Sequence, residues 1–443
     1  MRLAFGLRLL AAAAVVSAWR RMFPVPPSSD SFYHVPRLIS NYAPGSIINY
    51  RLVPNDVGAF GVKTNLASAY QILYRTNDGN DQATATVLTV LIPPNANHSA
   101  VVTFVMAEDA VSIDCAPSYG ILLESELLRR TNSATTQLQL LLIEAAMAQG
   151  WVVIIPDFEG PQAAFVDSKL GGQATLDGVR AALASGWLTN IQRDATLTLW
   201  GYSAGASVAL QAAGMRPTYA SELNISGAAL GGMASPSLSL SIFADINKGP
   251  HAGLIPVSLI AFGRADATFQ ASLDKHLRAS ARNRFYLPTK QCLGANLASF
   301  NNADIFAMFE CWDCVVADLV TAIGTHHEPT PVPRSGQIFI YHCVHDELIP
   351  IDGIDKQVQD FCRDSAIVHY QRDNGPNLNH RNYGVIGAPH AIEWLRGIYN
   401  GTTRQTTCSQ ETVTSVDLPD WFLDTYPNRV RDPLVKLVAG ATK

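Results

Sequence analysis

The sequence has little positive charge and no phosphate-binding loop, and both absences limit what the protein can do. Its 32 basic and 37 acidic residues give a net charge of −5, and no run of Lys and Arg stands out. A nucleic-acid-binding face needs clustered positive charge, so we expect no nucleic-acid partner. The glycine-containing segments lack the spacing of a P-loop or a dinucleotide-binding turn, so we expect no nucleotide cofactor.

Long hydrophobic runs are also missing. Hydrophobic residues make up 48% of the 443 residues, but no segment reaches the roughly 20 consecutive apolar residues that a membrane-spanning helix needs. In residues 1–18, Arg2 and Arg8 accompany a short apolar core, and the segment VSA ends at Ala18. This order is typical of a signal peptide. We therefore predict a secreted, extracellular protein with no transmembrane segment.

A standard set of zinc ligands is absent as well. Cys311 and Cys314 form a C-x-x-C segment that is followed by His326 and His327, but this arrangement fits none of the usual zinc spacings, so we expect no metal. Secretion instead favours disulfides among the seven cysteines. It also permits glycosylation of the asparagines that begin Asn-X-Ser/Thr sequons, namely Asn97, Asn224 and Asn400.

Short β-rich apolar runs alternate with helical patterns over most of the chain. The segments WVVIIPDFEG and TLTLWGYS are typical of buried strands, and LDGVRAALASG between them is typical of a helix. This alternation predicts an α/β fold in which helices cover both faces of a mostly parallel sheet. The predicted organisation is a signal peptide at 1–18, an irregular N-terminal arm at 19–65, the first part of the core at 66–236, a cap at 237–330 and the second part of the core at 331–443.

The alternation breaks after the strand-like segment that ends at Met233. The next clear strand, GQIFIYHCV, begins at Gly336, about 100 residues later, although a crossover between parallel strands needs only about a dozen residues. An insertion of this length is a functional lid or a separate unit. We predict a helical cap over the carboxyl edge of the sheet, with purely structural packing as the alternative.

The segment GYSAG, residues 201–205, gives the clearest indication of chemistry. It follows the strand-like LTLW and begins the helical ASVALQAAG, which is the strand–turn–helix pattern of a nucleophile elbow. Gly201 and Gly205 suit such a turn because a Cβ there would collide with neighbouring elements. Ser203 is thus the predicted nucleophile, and the N–H of Ala204 is a predicted donor to an oxyanion. A purely structural turn serine is the alternative.

A nucleophilic serine needs a base, and the base needs an acid that orients it. On this fold they follow in the order Ser, Asp or Glu, His. Asp346 follows a strand and lies at the expected edge of the sheet, with Glu347 beside it as the alternative acid. His390, in the segment VIGAPHAIEW, is the predicted base, and His380 in NLNHRN is the main alternative.

Six segments resemble, in order and spacing, motifs of the fungal secretory lipase family: AEDAVSIDCAPSY, DFEGPQAAF, LDGVRAAL, GYSAG, HDELIP and GAPHAIEW. The resemblance covers nearly all of the chain from about residue 30 onward. It implies an α/β-hydrolase core, a helical lid between the sixth and seventh core strands, and triacylglycerol hydrolysis. It also implies a triad of Ser203, Asp346 and His390, with the backbone N–H groups of Asp109 and Ala204 as the oxyanion hole. Some members of the family have Gly where this chain has Ala204.

We therefore expect a secreted triacylglycerol lipase that hydrolyses fatty acyl esters through an acyl-enzyme intermediate. Its substrate would be a lipid ester at a lipid–water interface, it would need no cofactor, and it would be a monomer. The alternatives are a carboxylesterase acting on short or cell-wall esters, a secreted serine peptidase and a non-catalytic hydrolase-like binding protein.

Two disulfides are also expected. One would tie the cap to the loop after Asp109, and the other would bracket His390; the pairs are Cys115 with Cys292 and Cys362 with Cys408. A core strand would bury the free thiol of Cys343. The two cysteines of the C-x-x-C segment are either paired with each other or free.

Overall fold

A computed structural model describes residues 23–127, 133–234, 241–326, 330–334 and 336–441. The predicted signal peptide at 1–18 lies outside the described residues, and so does residue 237, the predicted first residue of the cap. The described segments form a large sheet with helices on both of its faces.

Most of the described strands belong to that one sheet. The strands are β1 (Ile47–Leu52), β2 (Gly58–Ala59), β3 (Val62–Lys63), β4 (Ser68–Asn77), β5 (Ala83–Ile92), β6 (Asn97–Val105), β7 (Trp151–Pro156), β8 (Thr196–Tyr202), β9 (Ile225–Gly231), β10 (Gln337–Cys343), β11 (Val368–Asp373) and β12 (Ser409–Val413). The sheet has ten strands in the order β1-β4-β5-β7-β6-β8-β9-β10-β11-β12. The pairs β1–β4, β4–β5 and β5–β7 are antiparallel. All neighbours from β7 to β12 pair parallel, as the sequence predicts.

Successive residues of the central strands pack into different core clusters, one on each face of the sheet. In β10, Ile338 belongs to one cluster and Phe339 to the other, and Val152 and Val153 of β7 divide in the same way. Every residue of β7 is buried. A strand that is covered on both sides has no polar face, which explains the continuous apolar runs in the sequence.

Helices make the connections between the parallel strands. They are α1 (Pro117–Gly120), α2 (Ala134–Met147), α3 (Ser168–Ala184), α4 (Gly186–Thr189), α5 (Ala204–Tyr219), α6 (Ser241–Ile246), α7 (Leu254–Ala265), α8 (Ala267–His276), α9 (Arg282–Phe285), α10 (Leu293–Phe300), α11 (Trp312–His326), α12 (Ile351–Arg363), α13 (His380–Ile386), α14 (Ala388–Tyr399), α15 (Asp420–Leu423) and α16 (Asn428–Ala441). A parallel connection must return across the sheet, and a helix is the usual way to do so. In the described part of the chain, every helix is too short or too polar to span a bilayer.

The helices α6 to α11 lie between β9 and β10, where the sequence predicts the cap. Their buried residues Phe243, Ile255 and Phe269 belong to the same core cluster as Ile338 of the central sheet. The insertion therefore continues the core of the sheet and is not a thin surface loop.

The N-terminal arm is more regular than its composition predicts. Residues 47–52 form β1, which pairs with β4 at the edge of the sheet. Most of its residues are exposed or half-buried, because an edge strand is covered incompletely. The strand therefore lacks the continuous apolar run by which the inner strands are recognised.

Three disulfides link described residues. They are Cys115–Cys292 and Cys362–Cys408, the two pairs that the sequence predicts, and Cys311–Cys314 within the cap. The first bridge joins the loop after β6 to the cap. Cys343, near the end of β10, is a buried free thiol.

Candidate active site

Four segments of the chain meet at the carboxyl edge of the sheet. Ser203 directly follows β8, Asp346 lies in the loop after β10, His380 lies beyond β11, and Asp109 lies in the loop after β6. These strands are parallel and stand in the order β6-β8-β9-β10-β11. Their carboxyl ends therefore meet on one edge, where the sites of open α/β sheets are formed.

Ser203 stands in a strained turn between β8 and α5. Its φ of 56° and ψ of −128° lie outside the regions that L-residues normally occupy, and its N–H donates to the carbonyl of Gly231 at 2.9 Å. A Cβ on Gly201 would lie 2.5 Å from the backbone of Gly205, and a Cβ on Gly205 would collide with the carbonyl of Val105. The two glycines therefore allow the close backbone approach that the elbow requires.

Asp346 uses one oxygen to hold its own loop and the other to contact a histidine. Its Oδ1 accepts the backbone N–H groups of Leu348 at 3.0 Å and Ile349 at 2.7 Å. Its Oδ2 lies 2.8 Å from Nδ1 of His380, and its side chain is fully buried. The carboxylate is thus fixed on both sides and oriented toward the ring of His380.

His380, and not His390, lies beside the predicted nucleophile. Nε2 of His380 is 2.8 Å from Oγ of Ser203. Nε2 of His390 is instead 3.0 Å from Oγ of Ser415, beyond β12. The prediction of His390 as the base is therefore wrong, and the alternative histidine occupies the position.

The start of α13 explains this placement. The side chain of Asn379 accepts the N–H of Asn382, and the side chain of Asn382 accepts the N–H of Asn379, which together form a capping box. This capping box starts the helix at His380, directly after the loop that leaves the sheet edge. His390 lies in the following helix, α14, and its ring contacts Ser415 instead of Ser203.

The surrounding carboxylates raise the pKa of His380. Burial by itself would lower this pKa, but the hydrogen bond and charge of Asp346, with the charges of Glu347 and Asp109, raise it above its usual value. A raised pKa makes the imidazole a stronger proton acceptor. Because Nδ1 contacts the carboxylate, the tautomer with the proton on Nδ1 leaves Nε2 free to accept the proton of Ser203.

Ala204 and Asp109, the predicted oxyanion-hole residues, lie on two segments that pack together. Ala204 is the first residue of α5, so its N–H has no acceptor inside the helix. Asp109 adopts a φ of 49° in the loop after β6, and this loop approaches the elbow so closely that a Cβ on Gly205 would lie 3.1 Å from the N atom of Ala107. Burial raises the pKa of Asp109 to about 6, although the charge of His380 opposes this rise.

Two further polar side chains support these loops. Gln139 of α2 accepts the N–H of Ala107 at 2.9 Å and donates to its carbonyl at 2.8 Å. Nε2 of His342 donates to the carbonyl of Ile349 at 2.9 Å, and burial lowers the pKa of this histidine, so its ring stays neutral. The position of His342 close before Asp346 is a usable sequence signal, whereas Gln139 lies inside a helical pattern and gives none.

The C-x-x-C segment and the three glycosylation sequons are the other candidate sites in the sequence. Among the described residues, donor atoms of His276, Cys311 and Cys314 all lie within 4.8 Å of one another, but the two sulfurs are bonded to each other and are not available as thiolate ligands. His327 lies outside the described residues. The sequon asparagines are all exposed, namely Asn97, Asn224 and Asn400.

Both the chain and its fold are similar to known proteins. A family model described as secretory lipase matches residues 126–406. Lipase A of Arthroderma benhamiae is 39% identical over 94% of this chain and 88% of that protein. Lipase 2 of Candida albicans is 33% identical over 87% of this chain and 84% of that protein.

Solved structures show the same architecture. Candida antarctica lipase A in its closed state matches with a TM-score of 0.74 and 25% identity, over 94% of this chain and 95% of that chain. A rice cell wall degrading esterase of Xanthomonas oryzae matches with a TM-score of 0.60 over 82% of this chain and 100% of that chain, but at 12% identity this likeness shows the fold alone. The predicted α/β-hydrolase fold is confirmed.

Proposed function

Because the chain belongs to the secretory lipase family, we propose that it is a secreted, extracellular triacylglycerol lipase with Ser203 as its nucleophile. The observation that carries this proposal is the hydrogen-bonded series from Ser203 through His380 to Asp346, with 2.8 Å at each contact. This is the nucleophile, base and acid arrangement of a serine hydrolase. The names of the relatives support ester hydrolysis of the lipase type.

In the proposed reaction, Oγ of Ser203 attacks the carbonyl carbon of the ester while Nε2 of His380 takes the hydroxyl proton. The tetrahedral intermediate collapses as His380 gives that proton to the alcohol oxygen, and the C–O bond breaks to leave an acyl-enzyme. Water, deprotonated by the same imidazole, then attacks the acyl carbonyl carbon. The bond from that carbon to Oγ of Ser203 breaks, His380 returns the proton to Oγ, and the fatty acid is released. Asp346 stabilises the imidazolium in both halves, and no step uses a cofactor.

We assign the N–H groups of Asp109 and Ala204 to the negative oxygen of the tetrahedral intermediate. Ala204 keeps the backbone donor that glycine supplies in some relatives. An ionised Asp109 carboxylate would repel a nearby oxyanion, and the raised pKa of this group reduces that charge at mildly acidic pH. The carboxyl group therefore has no direct chemical step, and its contribution is to the loop that presents its own N–H.

The surface of the cap supports a lipid ester as the substrate. The rings of Phe306 and Trp312 stack at 4.0 Å and are only half-buried, and Val320 of α11 is 54% exposed. Apolar side chains at the surface of a soluble fold favour contact with another apolar phase. We therefore assign the cap to the lipid–water interface, with a monomer as the acting species.

A covalent probe and one substitution test the assignment. A fluorophosphonate reacts with activated serines, so we expect it to label Ser203, and we expect Ser203→Ala to lose the label and to hydrolyse esters at least about 10⁴-fold more slowly. Ser207→Ala is the matched control, because that hydroxyl lies in the same helix and accepts the N–H of Ala234 at 3.0 Å. It should keep both label and activity.

The substrate class is tested with emulsified long-chain triacylglycerols against short soluble esters. We expect faster hydrolysis of the emulsion. A strong preference for soluble esters would favour the carboxylesterase alternative. A folded protein that neither reacts with the probe nor hydrolyses either ester would favour the non-catalytic alternative.

A further inference from the structure

The backbone of His380 is held on both sides by the sequence neighbours of the other two proposed catalytic residues. Oε2 of Glu347 accepts the His380 N–H at 2.8 Å. The hydroxyl of Tyr202 donates to the His380 carbonyl at 2.7 Å. Tyr202 precedes Ser203 and Glu347 follows Asp346 in the chain. Ser203 and Asp346 therefore contact the imidazole ring. Their neighbours Tyr202 and Glu347 hydrogen-bond to the backbone of the same histidine.

Glu347 is suited to this contact because it is charged. Burial would raise the pKa of its carboxyl, but the neighbouring His251 side chain and the hydrogen bond from the His380 N–H lower it to about 2. His380 is the first residue of α13, so its N–H has no acceptor inside the helix. A carboxylate is a stronger acceptor for such an N–H than a neutral oxygen.

The same carboxylate also contacts the cap. Its second oxygen, Oε1, lies 3.5 Å from Nε2 of His251. His251 stands in the turn before α7, where its carbonyl accepts the N–H of Leu254 at 3.0 Å. Glu347 therefore joins the cap to the helix that carries the base.

We propose that Glu347 is a positioning residue that fixes His380 through its backbone, and that His251 of the cap holds Glu347 in the orientation required. The inference rests on the proposed function, because this placement of His380 matters only if the histidine serves Ser203. Glu347 does not replace Asp346 as the acid, since Oδ2 of Asp346 already contacts Nδ1 of the ring. Its contribution is to hold the ring at the distance that proton transfer needs.

Substitution of Glu347 separates its role as an acceptor from its charge. Glu347→Ala removes both, and we expect kcat on a short soluble ester to fall about 10- to 100-fold with little change in KM, because a misplaced base affects the chemical step. Glu347→Gln retains an oxygen that can accept the His380 N–H, so we expect it to recover most of the lost kcat.

The pH profile gives a second readout that a merely structural role would not move. Both variants lose a negative charge that raises the pKa of His380, so the acid limb of kcat/KM should move to lower pH in both. The other titratable groups facing the imidazole are unchanged in these variants, namely Asp109, Asp346 and His342. His345→Ala, on the exposed part of the same loop, is the matched control and should leave kcat and the pH profile as in the wild type.

The contribution of the cap is tested by a double-mutant cycle. His251→Ala should lower kcat a few-fold in the wild-type background and should have no further effect in Glu347→Ala, because the histidine acts through the carboxylate. Effects that multiply in the double variant would overturn the role of His251.

A folded Glu347→Ala variant with wild-type kcat overturns the proposal. A Glu347→Gln variant whose kcat falls as far as the loss expected for Glu347→Ala also overturns it, and this holds even if the alanine variant does not fold. Ser203→Ala is measured in parallel. If Ser203→Ala is inactive while Glu347→Ala is fully active, the proposed function stands and the positioning role fails; if Ser203→Ala is active, the proposed function itself fails.

Discussion

Ser203 occupies a backbone conformation that few residues other than glycine adopt. Such a conformation costs about 1–3 kcal/mol relative to relaxed backbone. The surroundings hold it in place, because the Ser203 N–H is bound to Gly231 and α5 begins at the next residue. In return, the hydroxyl stands at the carboxyl edge of the sheet, 2.8 Å from the ring of His380. The strained backbone therefore places the nucleophilic hydroxyl where the base can reach it.

Substitution of the two candidate histidines tests which of them is the base. His380→Ala should lower kcat at least about 10⁴-fold, whereas His390→Ala should keep kcat within about threefold of the wild type, because the ring of His390 contacts Ser415. The measurement is steady-state hydrolysis of a soluble ester by folded variants. A severe loss in His390→Ala together with full activity in His380→Ala would return the role to His390.

The helices α13 and α14 show which part of the site the sequence predicts and which part it does not. The parallel strands, the elbow at Ser203 and the position of Asp346 at a strand end follow from local patterns of apolar, glycine and polar residues. The identity of the base does not follow from local patterns, because NLNHRN and GAPHAIEW each place a histidine at or near the start of a helix. The path from β11 to α13 distinguishes them, and this path depends on packing between segments that are distant in the sequence.

We predict that alanine substitutions of Gly205, in the elbow, and of Gly324, in the cap, have opposite effects on stability. In Gly205→Ala the new methyl group would collide with the backbone carbonyl of Val105, so we expect a loss of about 1–3 kcal/mol in the free energy of unfolding and a severe loss of activity. Gly324→Ala, in α11, is the control: its methyl group would meet nothing within 4 Å. It should stabilise the protein by about 0.5–1 kcal/mol, as Ala does in helices.

Urea unfolding and ester hydrolysis measure both glycine variants. If Gly205→Ala is as stable and as active as the wild type, the close packing of the elbow against β6 is not required.

At the scale of the whole molecule, the fold buries four carboxyl groups around the carboxyl ends of β6 and β7. They are Glu108, Asp109, Asp157 and Glu159. Burial raises the pKa of Asp157 to about 7 and that of Asp109 to about 6. Burial and the charges of neighbouring carboxylates also raise the pKa values of Glu108 and Glu159. The folded protein therefore retains protons that the unfolded chain releases, which links its stability to pH.

We predict that stability falls as the pH rises through the range in which these groups ionise. The pKa of Asp157 is about 7 in the folded protein, whereas an aspartate in the unfolded chain has a pKa of about 3.9. Between these values the folded state binds more protons, so the free energy of unfolding decreases with rising pH. The stabilisation from this group is fully present below about pH 4 and is lost as the pH passes about 7, with an upper limit of about 4 kcal/mol.

Asp157→Asn should remove this part of the pH dependence. The amide cannot ionise, but its oxygen can still accept the N–H of Ser118, which donates to Asp157 at 2.8 Å. Asp360→Asn, at a half-buried position of α12, is the matched control. The hydrogen bond from Lys356 lowers the pKa of Asp360, so this group stays ionised between pH 5 and 8 and its replacement should leave the pH slope unchanged. Urea unfolding between pH 5 and 8, with the disulfides intact, gives the free energies. A wild-type stability that rises with pH over this range would show that the buried acids do not control the stability, and an equal slope in Asp157→Asn would show that Asp157 does not contribute to it.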